Sequence, residues 1–413
     1  MRSTTTHSAP RHSLAGARSL TTAVLALTRS YACGVVRRFT RRPPYRPRFT
    51  CPALSVGSRD GHGTGPFHGA SSVEVVTVLF ATHPLFLEHL TGAHHPERPS
   101  RLMAVARAAR RADFADAVVP LEPQPAKRAD LERIHPPWYL DRLEHLAAAG
   151  GGWIDADTAT SPQSSSAAVL AAGAGLTAVA ALERGEGTAA FCAVRPPGHH
   201  ATPTDSMGFC LVSNIAVVAA ALAERGERVW IFDFDAHHGN GTQAAFYDDR
   251  RVLFVSTHQW PLYPGTGRRD ETGNGDGAGT TLNVPLPAAT TGDVYLRAFD
   301  DVIAPIVDRF APTWLLISAG FDAHRADPLT DLGLSAGDFA ALTARAVQHV
   351  PAGRTVAMLE GGYDLEALTA STAAMLGVLA GIEGGAAERS TSGGPGAHAV
   401  DALVDHWHRA GAL

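Results

Sequence analysis

Two aspartates and two histidines lie within six positions of the segment "DFDAHHGNGTQ", residues 233–243. The segment follows directly on the apolar run "RVWIF". Charge at the edge of an apolar core is costly unless it is paired, hydrogen-bonded or bound to a metal. A structural ion pair would account for one acid and one histidine, so the four together indicate a site that does chemistry.

Polar side chains also end other apolar runs of the chain. Ligands of open α/β sheets bind at the carboxyl ends of the strands, so side chains at several strand ends are expected to meet in one site. The strand-like runs end, in chain order, at His199 and His200; at Asp233, Asp235 and His237; at Ser256 and His258; at Asp322 and His324; and at Glu360, Tyr363 and Asp364.

Asp235 and His237 are two positions apart, so in extended backbone their side chains point to the same face. Asp322, at the end of another predicted strand, completes a triangle with them. Two carboxylates and one imidazole suit zinc, and three protein ligands leave a coordination position open, as in catalytic sites. Asp233 is expected to orient a histidine beside this metal site.

The tandem His199–His200 follows the rigid turn "RPPG". Adjacent residues do not easily ligate one metal together, but they can lie beside an activated water. One then accepts the proton of the water while the other shapes the local field. Tyr363 follows two glycines in "EGGYD", which lets its phenol reach over the site and stabilise a developing oxyanion.

Short apolar runs alternate along the chain with Ala-, Leu- and Arg-rich stretches. Because the runs are continuously apolar, they predict strands buried on both faces, as in a parallel sheet covered by helices. The fold class is therefore α/β, with one domain over residues 73–381. Residues 1–72, rich in Arg, Ser and Pro, are expected to be a disordered extension. Residues 382–413 are expected to hold a Gly/Ser-rich segment and a short C-terminal helix.

The composition excludes several classes of partner. The chain of 413 residues is 45% hydrophobic with a formal net charge of -5, which gives no reason to expect nucleic acid or an anionic membrane as partner. No apolar run is expected to reach the roughly 18 residues that a membrane span needs. The four cysteines show no C-x-x-C spacing and fit reduced thiols in a reducing compartment. The pattern favours no particular oligomeric state.

Taken together, the motifs resemble those of the zinc-dependent histone deacetylase family, closest to its class II and bacterial deacetylase-like branches. The resemblance covers roughly residues 76–381 and is carried, in the order of that family, by "HHPERPSRL", "RPPGHHA", "DFDAHHGNGTQ", "STHQWPLYPGTG", "SAGFDAHRADPL" and "EGGYDL". It implies a single arginase/deacetylase-type domain, with a mostly parallel sheet of about eight strands between helical layers.

The resemblance also implies roles. Asp235, His237 and Asp322 match the ligands of one zinc ion per chain, His200 the general base that later protonates the amine, and Tyr363 the phenol that polarises the acetyl carbonyl. His199 matches the electrostatic partner of His200, hydrogen-bonded to Asp233. The substrate-binding positions that the resemblance implies are Gly208, Phe209, Tyr263, Leu329 and, near the acetate exit, Arg98. A structural potassium ion is implied at Asp233, Asp235, His237, Ser256 and Thr257.

Three positions depart from the family pattern. Asn240 stands where some members carry an acid behind the second histidine, so a tuned pKa with retained activity is expected. The acid that clamps the substrate backbone has only Asp155 and Asp157 as candidates. Leu329 stands where the resemblance implies a glutamate gatekeeper in polyamine-selective relatives. An apolar residue there gives a cationic polyamine no counter-charge, which favours acyl-lysine substrates over polyamines.

The motifs leave four candidate functions. The first is a zinc amidohydrolase that removes acetyl groups from N-acetyl-lysine of proteins, and the second is a deacetylase of acetylpolyamines or other small acylated amines. A catalytically silent binding module is disfavoured because both histidines and Tyr363 are present. A dinuclear manganese hydrolase would need further acids bridging a second ion. The expected location is the bacterial cytoplasm, or mitochondria if residues 1–72 are a transit peptide.

Overall fold

The structure, a computed structural model, describes residues 76–111, 113–382 and 388–411. The predicted extension, residues 1–72, lies outside the described residues. The strands are β1 Val78–Ala81, β2 Val118–Leu121, β3 Gly152–Trp153, β4 Ala159–Thr160, β5 Ala189–Cys192, β6 Val229–Asp233, β7 Val252–Gln259, β8 Thr281–Leu286, β9 Trp314–Ala319 and β10 Thr355–Leu359. An eight-stranded parallel sheet in the order β2-β1-β5-β10-β9-β6-β7-β8 forms the centre, and a separate two-stranded hairpin pairs β3 with β4.

Helices connect the strands and cover the sheet. A short π-helical segment, Phe299–Ile303, joins α7 to α8. The α-helices are α1 Ser100–Ala108, α2 Arg128–Leu131, α3 Pro137–Ala148, α4 Ser164–Glu183, α5 Asn214–Glu224, α6 Asn240–Phe246, α7 Gly292–Ala298, α8 Ala304–Phe310, α9 Ala336–Ala346, α10 Leu365–Leu379 and α11 Ala397–Arg409.

The predicted α/β fold with a parallel sheet of eight strands is confirmed. Six of those strands coincide with the apolar runs read from the sequence. The other two, β2 and β8, are the two edges of the sheet and contain Pro120 and Pro285. Proline lacks the N–H that an inner strand needs, so it is tolerated at an edge and hides such strands from a search for continuous apolar runs.

Helix α4 corrects one expectation from the sequence. By length and composition it could cross a membrane, since it has 20 residues and an 18-residue stretch of it has a mean hydropathy of 1.7. In the described part of the chain, however, 67% of that stretch is buried, and α4 packs on β5, β10 and α5. Alanine on every side allows this close packing, so the helix is explained as part of the protein core.

The C-terminal segment docks on the domain. Asp338, near the start of α9, accepts hydrogen bonds from the backbone N–H and the hydroxyl of Thr391. Beyond this contact, α11 lies where the sequence predicts a short helix, and its residues Val400, Leu403 and Trp407 are buried in the main hydrophobic core.

Candidate active site

Three metal-ligating side chains converge where β6 and β9 end. Nδ1 of His237 lies 3.1 Å from Oδ1 of Asp235 and 3.1 Å from Oδ2 of Asp322. Asp235 and Asp322 are fully buried, whereas His237 is only partly buried. The structure thus brings together the three predicted metal ligands, and their donor atoms all lie within 4.8 Å of one another.

Backbone groups fix the direction of each carboxylate. The N–H of Gly361 donates to Oδ2 of Asp235 at 2.8 Å, and the N–H of Ala236 donates to Oδ1 of Asp322 at 2.7 Å. A Cβ at Gly361 would lie 2.2 Å from Oδ2 of Asp322, so only glycine fits there. The chain therefore holds both carboxylates in place before any ion arrives.

The electrostatics of the three residues fit a divalent cation. Burial alone would lower the pKa of His237, but hydrogen bonds and charge from Asp235 and Asp322 raise it to about 10. The site therefore stabilises positive charge at the point where the three side chains meet. A divalent ion bound there would replace the imidazole proton, and two carboxylates with one imidazole are donors that zinc accepts.

The tandem histidines lie beside this group. Nδ1 of His199 is 3.0 Å from Oδ2 of Asp233, and Nδ1 of His200 is 2.8 Å from Oδ1 of Asn240. The ring centroids of the two histidines are 4.0 Å apart. The predicted pairing of His199 with Asp233 is therefore present. The corresponding partner of His200 is Asn240, where some members of the family carry an acid.

The two histidines differ in their charge preference. Burial, which disfavours charge, is outweighed at His199 by the carboxylates of Asp235 and Asp233, and its pKa rises to about 10. At His200, burial and the positive charges of His199 and His237 hold the pKa well below its ordinary value. At neutral pH the geometry therefore provides one charged and one neutral imidazole, and the neutral one can accept a proton.

Tyr363 is held by its own backbone and by an arginine. Its N–H donates to Oδ2 of Asp327 at 2.7 Å, and burial raises the pKa of its phenol well above the ordinary value. The guanidinium of Arg101 lies 4.9 Å from the centre of the Tyr363 ring and donates through Nε to the carbonyl of Gly362 at 2.7 Å. The phenol is therefore protonated at neutral pH, and its direction is fixed.

Arg98 does not take part in this arrangement, in contrast to the sequence prediction. It lies before α1 and is exposed, whereas Arg101, one helical turn later, is fully buried and pairs with Glu97 at 3.1 Å. The motif "HPERPSRL" contains both arginines. Only the start of α1 at Ser100 decides which of them points inward.

The predicted walls of a substrate channel lie around the histidines. The ring of Tyr263 is 5.3 Å from that of His200, and the ring of Phe209 is 5.9 Å from that of Tyr363. Gly208 and Phe209 both have positive φ, 54° and 68°, and a Cβ at Gly208 would lie 2.4 Å from the His200 ring. A positive φ strains a non-glycine residue such as Phe209, and such strain persists where the contacts of a functional site hold the backbone in place.

Leu329 is 37% exposed, and its N–H donates to Oδ1 of Asp327 at 3.0 Å. The other oxygen of Asp327 holds Tyr363, so the loop of Leu329 and the loop of the phenol share one carboxylate. Burial, followed by the charge of Asp322, raises the pKa of Asp327 to about 7. Leu329 is thus on the surface next to the site, as an apolar rim residue.

The β3–β4 hairpin carries both candidates for the clamping acid. Asp155 is exposed and closes the hairpin tip by accepting the N–H groups of Asp157 and Thr158. The backbone carbonyl of Asp157 lies 2.9 Å from Nε2 of His95, and the hydroxyl of Thr158 accepts the N–H of Phe209 at 3.3 Å. The hairpin is therefore tied to the channel wall. The charges of both aspartates raise the pKa of Tyr263, after burial, so both lie near the channel mouth.

Ser256 and Thr257 are buried on β7, next to the end of β6, where Asp233 pairs in register with Ser256. The hydroxyl of Thr257 is 3.5 Å from the carbonyl of Asp233, and that of Ser256 is 3.0 Å from Nδ1 of His258. These residues of the predicted potassium site are thus neighbours behind the metal group.

Comparison with known proteins identifies this constellation. The family model described as "Histone deacetylase domain" matches residues 95–379. The chain belongs to the histone deacetylase family. This deacetylase is 42% identical over 309 residues to "Probable deacetylase" of Archaeoglobus fulgidus, covering 73% of this chain and 85% of that protein. It is 42% identical over 245 residues to "Histone deacetylase-like amidohydrolase" of Pseudomonas aeruginosa, covering 58% and 64%.

The fold agrees with this identification. A solved structure, "Crystal Structure of HDA15 HD domain", superposes with a TM-score of 0.73 at 32% identity, over 81% of this chain and 94% of that chain. The predicted family is confirmed, and the deacetylase is a hydrolase of the amidohydrolase type.

Several buried charged residues of this deacetylase, to which the sequence motifs assign no role, support the site. Glu97 pairs with both Arg101 and Arg195, and all three side chains are fully buried. Glu360 accepts the N–H groups of Gly198 and His199, the turn that presents the tandem histidines. The signal that could have found them is the charged residue inside each motif, the Glu of "HPERP", the Arg of "RPPG" and the Glu of "LEGGY".

Proposed function

We propose that this deacetylase is a zinc-dependent amidohydrolase that removes acetyl groups from N-acetyl-lysine side chains of proteins. One observation carries the proposal. Asp235, His237 and Asp322 form a buried cation site, and beside it lie a neutral and a charged histidine and a protonated phenol. Together these groups can hydrolyse an unactivated amide, because they supply a proton acceptor and stabilise the developing oxyanion.

When bound at this site, zinc would polarise the amide carbonyl and lower the pKa of a water in the open coordination position. His200 takes a proton from the attacking water, because its pKa keeps it neutral and Asn240 fixes its ring through Nδ1. His199, held by Asp233, supplies positive charge next to it. Tyr363 donates its phenolic proton in a hydrogen bond to the carbonyl oxygen as negative charge develops there.

In the remaining steps, the proton that His200 has accepted passes to the leaving group. The oxygen of the water adds to the acyl carbon, and the C–N bond then breaks. His200 returns the first proton of the water to the leaving nitrogen. The second proton leaves the carboxyl group of the acid product and is taken up by the amine, so the products are acetate and the lysine ammonium. Phe209 and Tyr263 form aromatic walls suited to the apolar stem of an acyl-lysine side chain.

Deacetylation of acetylpolyamines or other small acylated amines is the second candidate. It is supported by the carboxylates of Asp155 and Asp157 near Tyr263, which would attract a cationic amine tail. Leu329, apolar and 37% exposed, offers no such charge on its side of the mouth. We favour the protein substrate because the carboxylates of both acids, on the β3–β4 hairpin, can instead accept backbone N–H groups of a peptide.

Release of free amine from an acetyl-lysine peptide and from acetylated putrescine, side by side, tests the choice. Each reaction is run with added zinc, with a chelator and with a hydroxamate. Chelator-sensitive turnover of the peptide alone supports the proposal, whereas preference for the diamine favours the second candidate. Asp235→Ala, which removes a proposed ligand, should reduce the bound zinc by one ion per chain.

Two further proposals accompany this function. Potassium is proposed behind the zinc site at the carbonyl of Asp233 with Ser256 and Thr257, tested by replacing potassium with a larger cation and following stability. The bacterial cytoplasm is proposed as the location. A fluorescent fusion of residues 1–72 that enters mitochondria would favour the alternative.

A further inference from the structure

A second group of metal-ligating side chains lies next to the first. His199, Cys210 and Glu360 are all buried, and one donor atom from each lies within 4.8 Å of the other two. Neither Cys210 nor Glu360 has a part in the proposed reaction. The proposed reaction uses His199 through its charge, so His199 links the second group to that reaction.

Glu360 shows that this second group is incomplete. Its Oε2 accepts the N–H of Gly198 at 2.6 Å and the N–H of His199 at 3.1 Å. Its Oε1 is buried and has no hydrogen-bond partner among the described residues. A carboxylate oxygen without a partner in a protein interior requires a proton, a water or a cation that satisfies it.

Cys210 is placed to become a thiolate when a cation is present. Burial and the charge of Glu360 raise the pKa of the thiol well above its ordinary value, so without a cation it stays protonated and donates to the carbonyl of Gly208 at 3.3 Å. The backbone N–H groups of His200 and Ala201 act in the opposite direction and lower the same pKa. They therefore favour the thiolate once a positive charge offsets burial.

The third donor is a ring nitrogen of His199. Its Nδ1 is 3.0 Å from Oδ2 of Asp233, whereas its Nε2 lies 3.8 Å from Oδ2 of Asp235, beyond hydrogen-bond distance, so Nε2 is the nitrogen left for a ligand. Imidazole, thiolate and carboxylate together carry two negative charges, which match a divalent ion. Sulfur and nitrogen donors select metals of borderline or soft character, such as zinc, cobalt and cadmium, over magnesium or calcium.

We propose that His199, Cys210 and Glu360 form a second metal site, which binds a borderline or soft divalent cation and inhibits the enzyme. Binding forms bonds from the ion to Nε2, Sγ and Oε1, and the thiol proton and any proton on Nε2 pass to solvent. The inhibitory effect rests on the proposed function, because there His199 acts beside the general base.

The required rearrangement is small. Donor atoms around a tetrahedral zinc are roughly 3.4–3.8 Å apart, as its bond lengths of about 2.0–2.3 Å imply. The donor atoms here, within 4.8 Å of one another, must therefore approach by about 1 Å. Rotation of the Cys210 side chain away from Gly208 provides movement of this kind. The ion then holds His199 as a ligand, so the imidazole no longer carries the charge that the reaction uses.

Cobalt is the probe that separates the two sites. The full-length protein, with Cys33 and Cys51 replaced by serine, is loaded with one zinc per chain and titrated with cobalt alone. A thiolate-to-cobalt charge-transfer absorption can come only from a site with sulfur, and the first group has only nitrogen and oxygen donors. We expect one additional cobalt per chain, with this absorption, and loss of deacetylation over the same cobalt concentrations.

Two variants and one control complete the test. Cys210→Ser should lose both the absorption and the inhibition. Glu360→Gln, whose amide oxygen can still accept the N–H groups of Gly198 and His199, should raise the half-saturating cobalt concentration by about tenfold or more. Cys192→Ala removes another buried thiol, outside the group, and should leave the absorption unchanged. Each activity is compared with that of the same variant without cobalt.

Absence of the absorption, or an inhibition by cobalt that persists in Cys210→Ser, would overturn the second site. If a proton or a water alone satisfies Oε1 of Glu360, the thiolate-to-cobalt absorption will be absent. Failure of the proposed function looks different. The zinc-loaded protein would then release no amine from any acetylated substrate, while the thiolate absorption and its loss in Cys210→Ser would remain measurable.

Discussion

At the scale of single residues, the proposed reaction depends on a phenol that stays protonated. Tyr363→Phe keeps the ring between Arg101 and Phe209 but removes the hydrogen-bond donor. We expect kcat to fall by roughly 10²–10³-fold, the cost of one oxyanion donor, with the zinc content unchanged. Steady-state kinetics with metal analysis measures both. Tyr247→Phe, at the end of α6, is the matched control, and full activity of Tyr363→Phe would remove the phenol from the mechanism.

The neutral state of His200 gives a prediction for pH dependence. Burial and nearby positive charges hold its pKa well below the ordinary value, so it can accept a proton throughout the neutral range. Asn240→Asp places a negative charge at Nδ1, which favours the imidazolium and raises this pKa by about one unit or more. Less of the neutral base is then present at low pH. The acidic limb of kcat/KM against pH should therefore move to higher pH, and an unmoved limb would contradict the assignment of His200 as base.

At the scale of elements, the β3–β4 hairpin is fixed to the channel by His95. Its Nε2 meets the carbonyl of Asp157, and its ring contacts both Phe209 and Trp153. His95→Ala removes this hydrogen bond and the ring packing, and we expect KM for an acetyl-lysine peptide to rise by about five- to tenfold with a smaller change in kcat. His94→Ala, an exposed neighbour, is the matched control. Equal effects of the two variants would show that the hairpin is not held in this way.

The elements also show what the sequence could and could not predict. Polar side chains at strand ends form the candidate site, so apolar runs followed by polar side chains predict the three proposed metal ligands, the tandem histidines and Tyr363. Which of Arg98 and Arg101 points inward depends on the residue at which α1 begins, and the motif does not give that residue. A proline interrupts each of the edge strands β2 and β8, so continuous apolar runs do not predict them. The sequence places Glu360 at a strand end, but its contact with the His199 turn depends on packing between β5 and β10.

At the scale of the whole molecule, α11 contributes to the main core although it follows the catalytic part of the chain. Trp407 is 2% exposed, and Trp407→Ala should lower the free energy of unfolding by about 3–5 kcal/mol, because it leaves a large cavity. Trp138→Ala, at a position 54% exposed, should change it by less than about 0.5 kcal/mol. Urea unfolding followed by circular dichroism measures both. Similar values for the two variants would mean that α11 docks only loosely.

The position of β10 has a consequence for how the enzyme is made. It is the last strand among the residues that the structure describes, yet it lies between β5 and β9. Before it inserts, the sheet is in two parts: β5 leads to the tandem histidines, and β6 and β9 lead to the metal ligands. A nascent chain that ends before β10 also lacks Tyr363, and its proposed base and proposed metal ligands lie on separate parts of the sheet. We expect such a chain to release no amine from an acetylated substrate, so that activity appears only after β10 has left the ribosome.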